Sequence, residues 1–165
     1  MLVGLISDTH DNLPLTRRAV TALNDACVDL VLHAGDYVAP FVIPVLADLD
    51  APLIGVLGNN DGDLPLLQAR FAKNAGMELR GRFACVTADD TTIGLLHGDE
   101  GELLQGLIER EAFDVIVHGH THKARVSEGK ATLVVNPGEV CGYLSGQATA
   151  ALLDTDTNNV TILHL

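Results

Sequence analysis

Metal-binding side chains recur in this sequence directly after short apolar runs. Each of the segments LISDTH, LHAGD, LGNND, LLHGD and VHGHTH begins apolar and ends in such residues. The seven candidate ligands are Asp8, His10, Asp36, Asn59, His97, His120 and His122. Carboxylate, imidazole and amide donors without sulfur suit borderline divalent ions such as Mn, Fe, Co, Ni or Zn. The residue types therefore predict a divalent metal site.

Seven donors are one short of the eight contacts that two four-coordinate ions need, so we expect one carboxylate to bridge two ions. Ions about 3.5 to 4 Å apart clamp the attacking and leaving oxygens of an in-line displacement and generate hydroxide at neutral pH. Two divalent ions also outweigh the charge of two carboxylates. This local excess of positive charge favours a phosphate ester as the substrate.

Each cluster also has a purely structural interpretation. Asp8 and His10 alone fit a capped turn after a strand, and Asp36 fits a helix N-cap. Asn59 and Asn60 fit left-handed turn positions between glycines. Five such clusters at five strand ends are unlikely to coincide by chance, which favours a shared site.

The elements that must position these residues follow from the hydrophobic pattern. Strands are predicted at 2–7, 28–33, 52–57, 77–79, 83–87, 92–96, 114–118, 124–127, 132–135, 147–153 and 160–163, and helices from 14 onward and at 37–49, 64–75 and 102–111. The early strand-helix alternation indicates parallel strands, whose carboxyl ends share one edge where ligands bind. Glu128-Gly129-Lys130 indicates a hairpin. We predict one α/β domain over residues 1–165, parallel in its first half and built of hairpins in its second.

Composition excludes several classes of protein. The chain has 22 Asp and Glu against 10 Lys and Arg, a net charge of -12, yet 47% of its residues are hydrophobic, so it is not a disordered acidic tail. Its charge repels nucleic-acid phosphates and anionic membranes, so we expect neither duplex nucleic acid nor a membrane as partner. The excess of Asp over Glu, 15 to 7, and of Arg over Lys, 7 to 3, fits salt adaptation and an ordinary acidic cytosolic protein equally well.

Cysteine usage and the first residues bear on location. Cys27, Cys85 and Cys141 are isolated and odd in number, which indicates a reducing compartment rather than a disulfide framework. The first residues have neither a basic region nor the apolar length of a signal peptide, and no stretch reaches the ~18 apolar residues of a membrane span. We expect a cytoplasmic protein.

Taken in order, these motifs closely resemble those of the calcineurin-like metallophosphoesterase superfamily: D-x-H, G-D, G-N-(H/D/C), H-G and G-H-x-H. They stand here as Asp8-Thr9-His10, Gly35-Asp36, Gly58-Asn59-Asn60-Asp61, His97-Gly98 and Gly119-His120-Thr121-His122. Asn136-Pro137-Gly138 is similar to a turn found late in the small YfcE-like branch of that superfamily. The resemblance implies a four-layer α-β-β-α sandwich of two mixed sheets.

The resemblance also implies a ligand assignment and an activity. One metal ion would be bound by Asp8, His10, Asp36 and His122, and a second by Asp36 as the bridge with Asn59, His97 and His120. The expected protein is a dinuclear phosphodiesterase that hydrolyses small phosphodiesters through a metal-bridging hydroxide. Manganese is the expected ion, with Ni, Fe, Co and Zn as alternatives, and the expected assembly is a homodimer or homotetramer.

Two residues depart from the family pattern. Asn60 stands where many members have a histidine that protonates the leaving group; an amide can steady a phosphoryl oxygen but lends no proton. We therefore assign Asn60 a catalytic role and predict a preference for good leaving groups. Asp99 replaces a common histidine and adds negative charge near the site. Alternative functions are a phosphomonoesterase, a cyclic-nucleotide or dinucleotide hydrolase, or a protein-binding scaffold like the retromer subunit of this fold.

Four further polar residues lie beside the motifs. His33 and His118 are predicted to be packed or to orient a ligand. Asp61 is either an acid supporting the site or a cap, and Asn136 is either a turn residue or a contact at the edge of the site.

Overall fold

Alternate residues of the first strand, β1 (Leu2–Ile6), face two different hydrophobic cores. Val3 and Leu5 belong to one core, and Ile6 belongs to the other. A strand buried on both faces must lie between two layers, because successive side chains point to opposite sides of the sheet. The sheet that contains β1 is therefore an interior layer of the computed structural model, which describes all 165 residues.

This first sheet has six strands in the order β11-β10-β1-β2-β3-β4. The other five are β2 (Leu30–His33), β3 (Leu53–Gly55), β4 (Met77–Leu79), β10 (Thr149–Asp154) and β11 (Asn159–His164). Strands β1 to β4 are parallel, and β10 and β11 add an antiparallel edge. The carboxyl ends of β1, β2 and β3 therefore meet at one edge.

The second sheet has five strands in the order β5-β6-β7-β9-β8. They are β5 (Phe83–Ala88), β6 (Thr91–Leu96), β7 (Val115–Val117), β8 (Arg125–Glu128) and β9 (Leu133–Asn136). Its inner face packs against the first sheet, since one core cluster combines residues of both sheets, such as Leu32 with Leu95. The edges of the two sheets at which the motif-bearing strands end are thereby brought together.

Helices complete the sandwich on both outer faces. The outer face of the first sheet is covered by α1 (Leu13–Asp25), α2 (Ile43–Leu46) and α3 (Leu64–Lys73). Helix α4 (Gly101–Glu109) lies over the second sheet, where its Gln105 and Ile108 border a groove that also contains Val134 and Asn136. The predicted four-layer α-β-β-α arrangement of two mixed sheets is confirmed.

Two details of the prediction were wrong. The helix predicted at 37–49 is reduced to the four residues of α2. Pro40 and Pro44 disfavour helix in the residues before them, and Asp36 and Val38 have positive φ angles, 62° and 74°. The second half is also not built of hairpins alone, because β6, β7 and β9 are parallel.

The helices have no candidate for a bilayer-crossing segment: none combines the necessary length with the necessary apolarity.

Candidate metal centre

The site is assembled from loops that follow five parallel strands, β1, β2 and β3 of the first sheet and β6 and β7 of the second. Asp8 and His10 follow β1, Asp36 follows β2, and His97 directly follows β6. Backbone hydrogen bonds tie these loops together: Asp8 N donates to Gly35 O at 3.0 Å, His10 N to Asp36 O at 3.1 Å, and Gly119 N to His97 O at 2.9 Å. The backbone hydrogen bonding of each sheet thus continues into the loops that carry the predicted ligands.

Five of the seven predicted ligands have left-handed backbone conformations. Their φ angles are 53° at Asp8, 39° at His10, 62° at Asp36, 66° at His120 and 60° at His122. This conformation costs an L-residue roughly 1 to 2 kcal/mol, and such strain is typically retained at functional sites. The concentration of left-handed residues here therefore marks the strand ends as a site rather than ordinary turns.

Two glycines make room for the carboxylates. A Cβ atom at Gly58 would lie 2.1 Å from Asp36 Oδ1, and one at Gly119 would lie 2.6 Å from Asp8 Oδ2. Neither distance is compatible with a side chain. The G-N and G-H motifs thus allow the backbone to approach the two acids that the sequence predicts as ligands.

Two buried carboxylates form the centre of the cluster. Asp36 Oδ2 lies 3.2 Å from His10 Nε2 and 3.4 Å from His97 Nε2. Asp8 Oδ1 lies 3.6 Å from His10 Nε2 and 3.4 Å from His122 Nε2. Asp36 therefore stands between two imidazoles of different strands, the place that the bridging carboxylate was expected to take.

Several atoms in the centre are buried without a hydrogen-bond partner. They include Asp8 Oδ1, His10 Nε2 and His97 Nε2. An unsatisfied buried polar atom costs about 1 to 3 kcal/mol, so a native structure rarely keeps three together without a ligand. The neighbouring Asp36 and Asp8 raise the pKa of His10 to about 9, which shows that the position favours positive charge. These residues fit divalent cations.

Hydrogen bonds on the far side of two imidazoles fix their tautomers. His97 Nδ1 lies 2.8 Å from the Ala34 carbonyl oxygen, and His122 Nδ1 lies 2.7 Å from Glu139 Oε2. Since carbonyl and carboxylate oxygens accept only, Nδ1 carries the proton in the neutral form of both rings, and the lone pair of that form is on Nε2. The lone pairs face Asp36 and Asp8, as metal binding requires.

Asn59 and His120 make fewer contacts with the buried cluster than the other predicted ligands. Both are exposed, and the Asn59 side chain makes no hydrogen bond. The ring of His120 lies 5.2 Å from that of His97, and its backbone N–H donates to Asp8 Oδ2 at 3.1 Å. The imidazoles of His10, His97 and His122 thus cluster around the two carboxylates, while Asn59 and His120 lie at the rim.

Asn60 contacts a carboxylate rather than an open space. Its Nδ2 donates to Asp36 Oδ2 at 2.7 Å and its backbone N–H to Asp36 Oδ1 at 2.9 Å. Asp61 accepts from Gly58 N at 2.7 Å and Val38 N at 2.9 Å, so it joins the loop after β3 to the loop after β2. Asn60 thus orients the Asp36 carboxylate.

Asp99, expected to add negative charge, is paired with a cation. Its Oδ2 lies 2.5 Å from Arg82 Nη2, and Arg82 also contacts Glu100 at 3.0 Å. The charge of Asp99 is therefore compensated locally.

His33 and Asn136 support the ligand loops. His33 is fully buried, where burial lowers its pKa to about 3; its Nδ1 accepts from Gly35 N at 3.1 Å and its Nε2 lies 3.2 Å from Thr9 Oγ1. Asn136 Nδ2 donates to Gly119 O at 2.8 Å and to Thr121 Oγ1 at 3.0 Å. His33 is thus a packed histidine that fixes the loop before Asp36, and Asn136 fixes the loop of His120 and His122.

Sequence reasoning missed Glu139. This carboxylate is fully buried and accepts hydrogen bonds from His122 Nδ1, Cys141 Sγ and the Leu144 and Ser145 backbone. Burial alone would raise its pKa, but the bonds from Cys141, His122 and Ser145 outweigh burial and lower it to about 2. The only signal in the sequence is an acid directly after the N-P-G turn. Through the hydrogen bond from Nδ1, Glu139 orients the ring of His122.

Comparison with known proteins agrees with this geometry. A family model for the calcineurin-like phosphoesterase superfamily domain matches residues 1–158. The chain is 39% identical over 156 residues to phosphodiesterase MJ0936 of Methanocaldococcus jannaschii, covering 94% of both chains. It superposes with a TM-score of 0.95 and 38% identity on a solved archaeal phosphodiesterase, covering 100% of both chains. The YfcE phosphoesterase of Escherichia coli shares the fold, with a TM-score of 0.73, 20% identity and coverage of 99% and 98%.

Proposed function

Because the chain belongs to the calcineurin-like phosphoesterase superfamily, we propose that it hydrolyses small phosphodiesters at a centre of two divalent metal ions. It is a metal-dependent phosphoester hydrolase of the phosphodiesterase type. The observation that carries the two-metal proposal is the group of unpaired buried atoms, Asp8 Oδ1, His10 Nε2 and His97 Nε2, gathered around two carboxylates.

We assign the ligands as the motifs imply. Asp8, His10, Asp36 and His122 would hold one ion, and Asp36, Asn59, His97 and His120 the other. When bound, the two ions supply Lewis-acid charge for the phosphoryl oxygens and a hydroxide nucleophile at neutral pH. The fixed tautomers of His97 and His122 present lone pairs without rearrangement, and the left-handed loops hold the carboxylates in place.

Asn60 gives the site its leaving-group preference. The side chain holds Asp36 and has no proton to transfer to a departing oxygen. A diester with a low-pKa leaving group needs no such proton, whereas an alkyl ester does. We therefore infer that activated diesters react fastest.

Metal-stripped protein assayed on a bis-aryl phosphate, with and without added Mn²⁺, tests the proposal. We expect turnover only with metal, and about two ions per chain in the active protein. If metal fails to restore any turnover on this or a monoester substrate, the chain acts as a protein-binding scaffold instead.

A series of aryl diesters graded by leaving-group pKa tests the role of Asn60. We expect the rate to fall steeply as the leaving-group pKa rises, because the departing oxygen carries its charge unprotonated. A slope near zero, measured where chemistry limits the rate, would contradict this role. Matched monoesters in the same assay separate the phosphodiesterase from a phosphomonoesterase.

Metal identity, location and assembly complete the proposal. Manganese is the proposed native ion, with Ni, Fe, Co and Zn as alternatives, since donors of oxygen and nitrogen without sulfur suit all five. A cytoplasmic location is supported by Cys27, Cys85 and Cys141, none of which forms a disulfide. Metal analysis of the purified protein tests the first point, and light scattering tests the expected homodimer or homotetramer.

A further inference from the structure

A groove of about 550 Å³ begins behind the loop that carries His120 and His122. It runs over the outer face of the second sheet, between α4 and the edge strand β8. His118 and Thr121 line the groove where it adjoins the metal ligands, and Arg125 and Ser127 line it along β8. The groove therefore adjoins, through Thr121, the loop that carries two of the proposed ligands.

The charge of this groove contrasts with the rest of the surface. Its nine lining residues include Lys123 and Arg125 but no acid, although the chain has 22 acidic residues and a net charge of -12. Lys123 also lines a second cleft, of about 450 Å³, which reaches the metal ligand His122 and is likewise free of acids. By contrast, the cleft beside His97 contains two acids, Asp99 and Glu100, and a single cation, Arg82, that is paired with both. Of these three clefts beside the proposed centre, the two around residues 121–125 repel an anion least.

The side chains of the two cations in the groove have no partner. Lys123 and Arg125 are exposed and form neither a salt bridge nor a hydrogen bond, whereas Arg80 and Arg82 are both paired with acids. His118 uses Nδ1 toward the Gly119 carbonyl oxygen, which leaves Nε2 without a partner. Unpaired cations beside hydroxyl groups match the oxygens of a phosphate, to which charge-assisted hydrogen bonds are the strongest.

We propose that Lys123 and Arg125 form a subsite for a second phosphate group of the substrate. Arg125 is the third residue after His122, so their Cα atoms lie at most about 10 Å apart. The substrate class is therefore a small phosphodiester with a further phosphate on the same nucleoside or on a unit of similar size. This proposal rests on the phosphodiesterase function and specifies its substrate.

The test compares two substrates that differ by one phosphate. They are the p-nitrophenyl ester of thymidine 5′-phosphate and the same ester with an added 3′-phosphate. We expect wild-type protein to prefer the second by about tenfold in kcat/KM, mainly through KM, because a charge-assisted hydrogen bond is worth about one decade in affinity. The preference should fall as salt is raised.

Substitutions test whether Lys123 and Arg125 cause the preference for the ester with the 3′-phosphate. Lys123→Ala and Arg125→Ala should each reduce it, and the double variant should abolish it, with activity on the ester lacking the 3′-phosphate unchanged. Lys130→Ala removes an exposed cation of the same hairpin that does not line the groove, and should keep the preference. No preference in the wild type, or an undiminished preference in the double variant, would overturn the proposal.

A binding measurement separates this proposal from the phosphodiesterase function. If neither ester is hydrolysed with any metal, that function fails, but the groove is still tested by calorimetry with thymidine 3′,5′-bisphosphate and metal-free protein. Binding that disappears in the double variant supports the subsite. Absent binding, or equal binding by both proteins, overturns it.

Discussion

The two proposed ligand sets differ in how completely the protein has built them. The inner set consists of Asp8, His10, Asp36 and His122, which are buried or half-buried. Each of its imidazoles lies within 3.6 Å of at least one of its carboxylates. The outer set shares Asp36 and adds His97, Asn59 and His120. Its Asp36 and His97 are buried, but Asn59 and His120 are exposed.

The supports behind the two sets explain the difference. His122 is held by the buried Glu139, and the Asp8 carbonyl oxygen accepts from Cys141 N at 3.0 Å. The loop of Asn59 is held chiefly through Asp61, and no side chain fixes Asn59 itself. Since ligands already held in place lose little entropy on binding, the inner set should bind its ion more tightly.

The largest expected effect comes from the residue that both sets share. Asp36→Asn keeps the shape of the side chain but removes the charge between His10 and His97, so both ions should be lost and activity should fall on the order of 10³-fold. Steady-state assays with excess Mn²⁺ measure this. Asp48→Asn, an exposed acid outside the site, is the control. Loss of only one ion would show that Asp36 does not bridge.

Glu139→Gln should weaken the inner set specifically. The amide cannot accept from His122 and the loop amides as a carboxylate does, and losing such an outer partner typically reduces metal affinity 10 to 100-fold. Calorimetry with Mn²⁺ should show the tight step weakened and the weak step unchanged. Glu128→Gln provides an exposed control. Equal weakening of both steps would mean that Glu139 acts only on overall stability.

Asn59→Ala should act on the outer set alone. Because Asn59 is exposed and makes no hydrogen bond, its removal leaves the fold and the inner set unchanged. We expect the second step of metal binding to weaken and activity at limiting Mn²⁺ to fall at least about tenfold, because even an outer partner of a metal ligand costs 10 to 100-fold when it is lost. If only affinity for the second ion is reduced, activity should recover at high Mn²⁺. A change in the tight step would contradict the division into two sets.

The smallest expected effect concerns the support of the inner set by His33. Burial lowers its pKa from the usual 6.5 to about 3, so the unfolded chain binds a proton in this range that the folded chain does not. Stability is therefore fully present above pH 6.5 and is lost as the pH falls from 6.5 toward 3. Denaturant unfolding of metal-free protein should show this slope between pH 6.5 and 5, and His33→Asn should flatten it. An unchanged slope in the variant would assign it to other groups.

Much of this arrangement could be predicted from local sequence. The positions of Asp8, Asp36 and His97 could be predicted because a buried strand is apolar. The first metal-binding residue after such a strand therefore lies at the edge of the sheet. The helix predicted at 37–49 was wrong because Pro40 and Pro44 disfavour helix in the residues before them, although the segment is apolar. The parallel pairing of β6, β7 and β9 was missed because a short apolar run does not specify its neighbour.

The remaining parts of the site depend on contacts across the chain. Glu139 is separated from His122 by 17 residues, and nothing in its neighbourhood distinguishes a buried acceptor from a turn residue. The contact of Asn60 with Asp36 spans 24 residues and likewise has no local signal. Whether a residue lies inside the cluster or at its rim, as Asn59 does, is decided by the folded backbone.

Calorimetric titration of metal-free protein with Mn²⁺, with activity followed in parallel, tests the central claim most directly. Two unequal ligand sets predict two ions per chain, bound in a tight and a weaker step, with phosphodiesterase activity appearing during the second. Saturation by one ion per chain, with full activity at that point, would contradict the account.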